Sequence, residues 1–190
     1  MTFVGFAVIF CLGALILWSM YTYNNFREKQ SRIDFWWDEV DVHLRFRRDL
    51  IPSLMDRARP LMKKENPTLD RIAGIREKIV QSEIHPEQTG LPENAERLEN
   101  SLSAEFHSLQ DVFRKHAEIQ INPDLLTVMS ELASIEGKAL TACKEYNKLT
   151  NQYNSSIKSF PANLVAGMLR FNPREKRIFG EWKDTVRDTA

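Results

Sequence analysis

Apolar residues fill the first part of the chain almost without interruption. Residues 3–18 are nearly all apolar, no charged side chain precedes Arg27, and Trp18 and Tyr23 mark the end of the apolar run. A helix that crosses a hydrocarbon core of ~30 Å needs roughly 20 residues, and aromatic side chains favour the boundary between membrane and water. Residues 1–26 are therefore predicted to form a transmembrane helix that anchors the chain in a lipid bilayer.

The residues that flank this run indicate whether it is cleaved and how it is oriented in the membrane. A cleaved signal peptide would need a basic segment before the apolar run and a small-residue cleavage site after it, and neither is present. Arg27, Lys29 and Arg32 all follow the run. Because basic residues resist translocation, the rest of the chain is predicted to stay on the cytoplasmic side.

Beyond the anchor, apolar residues recur at alternating steps of three and four. Such spacing is a heptad seam, which is typical of helices that pack in coiled coils and bundles. Pro52 interrupts the first seam, so a kink or a restart of the helix is expected near residues 49–51. The seam consists of Ile33, Trp37, Val40, Leu44, Arg47, Ile51, Leu54, Ala58 and Leu61.

Three further helices follow from the same pattern. Asn-Pro pairs at residues 66–67 and 122–123 are helix start signals, and two Pro and one Gly mark a loop over residues 85–94. The third helix is expected over residues 93–119 and the fourth from Asn122 to about residue 158. The prediction is an all-α fold, in which the transmembrane helix precedes an antiparallel, up-down bundle of long helices that resembles a four-helix bundle. The bundle domain is expected over residues 27–169, with a basic and aromatic tail over residues 170–190.

Charge adds two expectations. The 26 basic and 26 acidic residues balance, so the chain lacks the positive charge that nucleic-acid binding requires. The loop between the second and third helices and its flanks are expected to be acidic, and the loop is expected to project sideways because anionic lipid would repel it. Its acidic residues are Glu83, Glu87, Glu93, Glu96 and Glu99.

The tail is expected to touch the membrane. Apolar anchors beside basic residues can lie in a membrane interface, whereas Leu164, Val165 and Leu169 are expected to cap the bundle core. The other interpretation of the tail is a frayed basic end. The tail residues with this pattern are Arg170, Phe171, Arg174, Lys176, Arg177, Phe179 and Trp182.

The sequence contains none of the common motifs for catalysis or metal binding. There is no His-Glu-x-x-His, no Cys-x-x-Cys and no Gly-rich phosphate loop, and no His follows a Glu at the spacing of di-iron bundles. Cys11 and Cys143 fall in separate parts of the chain, so no disulfide is expected. We therefore expect no catalytic residue, no metal, no cofactor and no small-molecule substrate. An enzyme that carries a metal or cofactor in the bundle remains an alternative, in addition to the two non-enzymatic functions described below.

Two stretches resemble the LemA family of bacterial membrane proteins. They are RRDLIPSLMDRAR at residues 47–59 and EYNKLTNQYNSSIKSFPANLVAGMLRF at residues 145–171. In this chain Asp follows the second Arg directly, and Ser53 replaces the usual Asn. The matching motif residues are Arg47, Arg48, Asp49, Leu50, Ile51, Pro52, Leu54, Tyr146, Asn147, Tyr153, Asn154, Phe160, Pro161, Ala162, Asn163 and Leu164.

The resemblance implies an N-terminal single-pass anchor in a bacterial inner membrane and an antiparallel helical bundle. It brings no biochemical activity, because the function of the family is largely unassigned. Some relatives are connected with building or organising bacterial membranes.

The motif residues also suggest a structural role. An antiparallel pairing of the first and fourth helices would place Tyr146 and Asn147 near residues 41–44, within two turns of Arg47 and Asp49. These four side chains are then expected to form a polar layer that fixes the register of the two helices. The alternative is exposed charges beside two core tyrosines.

Together these features predict a non-enzymatic scaffold or adaptor. Its binding surface would include Phe35, Trp36 and Phe46, which lie outside the seam and either complete the core or form an apolar patch. The partner would be another protein or a second copy of the chain. The alternative is a self-assembling structural protein that organises or shapes the membrane and uses the tail as a second lipid contact.

Overall fold

The structure, a computed structural model, describes residues 2–62, 67–84, 92–115 and 122–177. Helix makes up 88% of it, and these residues contain no strand. The predicted all-α class is therefore confirmed. The helices are α1 (Thr2–Ala58), α2 (Pro67–Ile84), α3 (Pro92–Arg114), α4 (Pro123–Lys158) and α5 (Ala162–Met168).

Both predicted start signals open helices. α2 begins at Pro67 and α4 at Pro123, and the amide of Leu125 donates to the side-chain oxygen of Asn122 at 3.0 Å, which caps α4. α3 begins at Pro92, inside the expected loop, and ends at Arg114, earlier than expected. Residues 85–91 and 116–121 lie outside the described part of the chain.

α1 continues through Pro52, so the expected restart of the helix is wrong. Pro52 is exposed, while Ile51, Leu54 and Met55 around it are buried in a common core. This packing holds both sides of the proline in one helix, although the proline has no amide to donate to the carbonyl of Arg48 four residues earlier. The Nε of Arg76 on α2 donates to that carbonyl at 3.1 Å instead.

The N-terminal part of α1 is apolar and uncovered. Its most apolar 18-residue window has a mean hydropathy of 2.4, and none of that window is buried. Side chains 3–17 are all exposed. In the described part of the chain, α1 is the one helix that is long and apolar enough to cross a membrane.

The chain forms two compact units. The first unit contains Met1–Trp37 and Lys144–Lys176, and the second unit contains Asp38–Cys143 and Arg177–Ala190. The core of the first unit is built from α1, α4 and α5 and consists of Phe26, Ile33, Tyr146, Leu149, Tyr153, Ile157 and Ala166. The core of the second unit is built from α1, α2, α3 and α4 and includes Ile51, Leu54, Leu69, Ile72, Ile79, Leu102, Phe106, Leu109, Leu125 and Leu132.

The predicted seam of α1 lies inside. Trp37 and Leu61 are half-buried, and the other seven positions, including Arg47, are buried. In the first unit, Gln30 donates to the Tyr153 hydroxyl at 3.0 Å, and the ring centroids of Trp37 and Tyr146 are 5.5 Å apart. Tyr146 is thus level with Trp37, and its expected position beside residues 41–44 is wrong.

Candidate functional site

The second unit contains a buried ion network of Arg47, Arg48, Glu99 and Glu136. Arg47 and Arg48 each bind one carboxylate oxygen of Glu99, and the side chains of all three are at most 5% exposed. A second nitrogen of Arg47 lies 3.5 Å from a carboxylate oxygen of Glu136, which is 12% exposed. Two positive and two negative charges therefore balance in a nearly dry site, as buried charges require.

Neutral groups accept further hydrogen bonds from Arg47, although its buried Nε has no hydrogen-bond partner in the described part of the chain. Its guanidinium donates to the Ser103 hydroxyl at 2.6 Å and to the backbone carbonyl of Glu99 at 3.2 Å. Its carbon lies 5.9 Å from the centre of the Phe106 ring, within range of a cation–π contact. The network joins α1 to α3 and α4, and Glu99 serves as the counter-ion of two arginines.

This arrangement corrects the predicted polar layer. Asp49 is exposed, so it does not belong to a buried layer with Arg47. The partners of Arg47 are on α3 and α4 of the second unit, whereas Tyr146 and Asn147, both buried, belong to the first unit. The physical reason is the helix register, which places Tyr146 level with Trp37.

Sequence reasoning missed Glu99, Ser103 and Glu136. Glu99, which the sequence indicated only as part of the acidic flank of the loop, is 4% exposed. A signal was present, because Glu99 and Ser103 extend the spacing of Phe106 along α3 by steps of four and three. Polar residues at seam positions indicate a buried partner of opposite charge.

Three of the four residues in the Tyr-Asn pairs of α4 bind the chain that follows α5: Tyr146, Tyr153 and Asn154. The Tyr146 hydroxyl donates to the carbonyl of Glu175 at 2.9 Å, and the Tyr153 hydroxyl donates to the carbonyl of Asn172 at 3.1 Å. The amide side chain of Asn154 bonds the backbone of Arg174 twice, as donor at 2.8 Å and as acceptor at 2.9 Å. The motif thus provides polar groups for an extended backbone that has no helix or sheet partner of its own.

Side chains strengthen this contact in the first unit. Arg174 forms an ion pair with Asp34 of α1 at 3.0 Å. The ring of Phe171 lies edge-on to Phe26 at 5.1 Å and to Tyr23 at 5.8 Å. Residues 171–176, which we call the tail segment, are therefore held by both α1 and α4.

Tyr153 joins the helices and the tail segment at one atom. Its hydroxyl accepts from Gln30 of α1 and donates to Asn172. Burial raises the pKa of Tyr153 above its ordinary value, and the Gln30 hydrogen bond and the charge of Arg174 lower it in part. The protonated hydroxyl is the form that makes both bonds.

The sequence predicts that the tail contacts the membrane, whereas the described contacts of the tail are with protein. Phe171 and Arg174 contact protein, and Arg177 in the second unit lies 3.4 Å from Glu96. Arg170 and Lys176 are exposed. Phe179 and Trp182, for which the sequence also predicts a membrane contact, lie outside the described residues.

The Phe-Pro-x-Asn-Leu motif lies on the surface. Phe160, Pro161 and Asn163 are exposed, and Pro161 precedes the first residue of α5. Val165 is buried as expected, whereas Leu164 and Leu169 are exposed, so their expected place in the core cap is wrong. The reason is that α5 turns only its Val165 and Ala166 side inward.

The three residues of the predicted partner surface have different surroundings. Phe35 is 56% exposed, and Trp36 packs partly against the core of the first unit. Phe46, in the second unit, is 55% exposed and borders a groove of about 480 Å³. The groove lies between α1 and α4 and is lined by Phe46, Asp49, Leu50, Ser130, Glu131, Ser134, Ile135 and Lys138.

These features define an all-α protein with an apolar N-terminal helix that is long enough to cross a membrane. Within the described ranges, no group of three or more His, Cys, Asp or Glu side chains is placed to hold a metal ion. The LemA family model matches residues 36–186, and the chain belongs to the LemA family. No curated protein matches the chain.

Proposed function

We propose that this protein is a non-enzymatic, membrane-anchored helical scaffold that binds a protein partner at the inner membrane of a bacterium. The observation that carries the proposal is the two-part character of α1. In the first unit this one helix is apolar and uncovered over residues 3–17 but buried at Phe26 and Ile33. Water does not favour such a large exposed apolar surface, whereas a bilayer does.

The charged residues after the apolar run support a cytoplasmic orientation. Arg27 and Arg32 are exposed and Lys29 is half-buried, so all three can remain hydrated beside the membrane. Residues 1–26 are then the single membrane pass, and the remaining helices lie on the cytoplasmic side.

Paired contacts support an up-down arrangement of the helices. Arg59, which directly follows α1, pairs with Asp70 of α2 at 3.4 Å, and Arg76 of α2 donates to the carbonyl of Arg48 on α1. Residue numbers thus rise on α2 as they fall on α1. The contacts between α1 and α4 in the first unit run in opposite order as well.

The groove beside Phe46 is the proposed partner surface. Val42, one helical turn before Phe46, is 43% exposed, so two apolar side chains of α1 face solvent next to the groove. Glu131 and Lys138 on the α4 side provide both signs of charge at its border. Aromatic anchors with a polar rim are characteristic of protein interfaces.

Photo-crosslinking in cells tests this role. A photoreactive amino acid at position 46 should capture one specific protein, and Val42→Asp in the same chain should abolish the capture. A matched probe at Lys78, which is exposed on α2, should not capture it. The proposal fails if positions 46 and 78 capture the same proteins. Capture of only copies of the chain would favour a self-assembling protein that organises the membrane.

A further inference from the structure

Helix α5 and the residues next to it carry an exposed apolar surface, which we call the α5 face and which consists of Phe160, Leu164, Met168 and Leu169. Their exposed fractions are 81%, 58%, 83% and 50%, respectively. Leu164 and Met168 are four residues apart in α5, which places them on one side of the helix, and Phe160 lies two residues before its first residue. On the other side, Val165 and Ala166 are buried against the first unit. The helix is therefore apolar on its packed side and also on its uncovered side.

Contacts within the first unit place this α5 face near the end of the apolar run. Phe171 donates its amide to the carbonyl of Ala166 at 2.9 Å and packs its ring against Tyr23 and Phe26. A membrane span of roughly 20 residues that starts at Phe3 ends close to Tyr23. α5 is thus held beside the position where α1 would leave the hydrocarbon core.

The charged residues that flank α5 in the sequence are all basic. No Asp or Glu occurs between Glu145 and Glu175. Lys158 and Arg170, which flank α5 on either side, are both exposed. An apolar face between basic residues matches the surface of a bilayer that contains anionic lipid, where apolar groups enter the acyl boundary and basic groups meet phosphate.

We propose that the α5 face is a second membrane contact, which lies in the interface while α1 crosses the bilayer. Phe160, Leu164 and Met168 enter the boundary between headgroups and acyl chains, and Lys158 and Arg170 bind anionic headgroups. A bilayer fits better than a second protein, because Phe171 holds α5 close to the end of the apolar run of α1 and the residues that flank α5 in the sequence carry only positive charge. The inference rests on the proposed anchor.

Depth-dependent fluorescence quenching tests the contact in the full-length chain. Cys11 and Cys143 are replaced by Ala, and single cysteines at Met168, Leu12 and Phe35 are labelled with an environment-sensitive dye. All three positions are exposed, so the label should not disturb the core. The protein is reconstituted in vesicles of phosphatidylcholine and phosphatidylglycerol, with or without a lipid that carries a quencher near its headgroup.

Leu12 reports the anchor, and Phe35 is the matched control for exposure. Phe35 lies 12 residues beyond Tyr23, about 18 Å along α1 and away from the span. We expect the dye at Met168 to emit at shorter wavelength than the dye at Phe35 and to lose most of its emission to the shallow quencher. If Leu12 has a lipid-exposed signal and Met168 resembles Phe35, the α5 contact is refuted and the anchor stands.

Two other outcomes also decide the matter. If neither Leu12 nor Met168 has a lipid signal, the anchor itself is wrong and the α5 contact falls with it. If Met168→Cys chains in vesicles form disulfide-linked or bismaleimide-linked dimers in high yield without quenching by the lipid, a second copy of the chain covers the face and the proposal is refuted.

Discussion

Glu99 is the residue on which two buried guanidinium groups depend for charge compensation. Each of its carboxylate oxygens binds a different arginine, and its side chain is 5% exposed. A buried ion pair adds little net stability, but the loss of one member leaves an uncompensated charge in the interior. The ion network should therefore contribute to the choice of register more than to overall stability.

Glu99→Gln should destabilise the protein by about 3–5 kcal/mol, because the neutral amide keeps the shape of the side chain but not its charge. Thermal unfolding in detergent, followed by circular dichroism, measures the effect. The matched control on α3 is Asp111→Asn, where a 68%-exposed carboxylate pairs with Arg114, and it should cost at most about 1 kcal/mol. Equal effects of the two variants would show that Glu99 is not a required counter-ion.

Ionisation of Tyr153 should make the stability of the folded protein depend on pH in the alkaline range. Burial raises its pKa in the folded protein, so its contribution is complete below the unfolded value of about 10 and is lost as the pH rises through the folded value. Tyr153→Phe removes this titration together with the bonds to Gln30 and Asn172. Above about pH 10, the free energy of unfolding measured with denaturant should fall less steeply with pH for Tyr153→Phe than for the parent chain. Identical slopes would contradict the assignment.

At the scale of elements, Pro52 of α1 and Arg76 of α2 are connected through the backbone carbonyl of Arg48. Pro52 leaves the carbonyl of Arg48 without its usual helical donor, and Arg76 of α2 supplies the hydrogen bond. The proline therefore opens a docking point for a second helix on the backbone of α1.

A double-mutant cycle tests this link. Arg76→Leu should cost about 1–3 kcal/mol in the parent chain, because the Arg48 carbonyl loses its donor. In a Pro52→Ala background the new amide at position 52 bonds that carbonyl, so Arg76→Leu should cost less by at least about 0.5 kcal/mol. Unfolding free energies of the four chains give the coupling directly. Strict additivity would mean that Arg76 does not replace the missing helical bond.

The side chain of Asn154 holds the tail segment through two hydrogen bonds to its backbone. Asn154→Ala removes the donor and the acceptor that hold the backbone of Arg174, each worth about 1 kcal/mol. Hydrogen exchange at the Arg174 amide should become faster. Asn151→Ala, at an exposed position three residues earlier on α4, should leave the exchange unchanged. Unchanged exchange in Asn154→Ala would mean that this contact does not hold the tail.

At the scale of the whole molecule, the sequence predicts the helices better than their partners. Heptad spacing identified Ile33, Ile51 and Leu54 as core positions, because one buried stripe imposes a period of about 3.6 residues on the sequence. The partners of Arg47 could not be predicted from the sequence, because they depend on the register of the helices. A shift of a few residues in that register gives each side chain different neighbours. The contact of residues 171–176 with the helices could not be predicted either. It is made through backbone carbonyls, which every residue has, so the sequence contains no signal for it.

The membrane contact predicted for the tail is instead proposed for α5. A short helix that is apolar on two sides has no amphipathic period, so the sequence alone suggested that Leu164 and Leu169 lie in the core. Their exposure depends on how α5 packs against the first unit, and Phe171 holds that end of the chain against Tyr23 of α1. In our proposal the apolar run of α1, the α5 face, Lys158 and Arg170 all contact the same bilayer.

The central claim is that α1 crosses the bilayer and leaves the helical domain in the cytoplasm. We would test it by labelling two single-cysteine chains in spheroplasts with a membrane-impermeant maleimide, with Cys11 and Cys143 replaced by Ala. One chain has a cysteine inserted after Met1, and the other has Asn151→Cys on α4. The account predicts that the N-terminal cysteine is labelled in intact spheroplasts and that position 151 is labelled only after lysis. Labelling of position 151 before lysis, or protection of both positions until lysis, would contradict it.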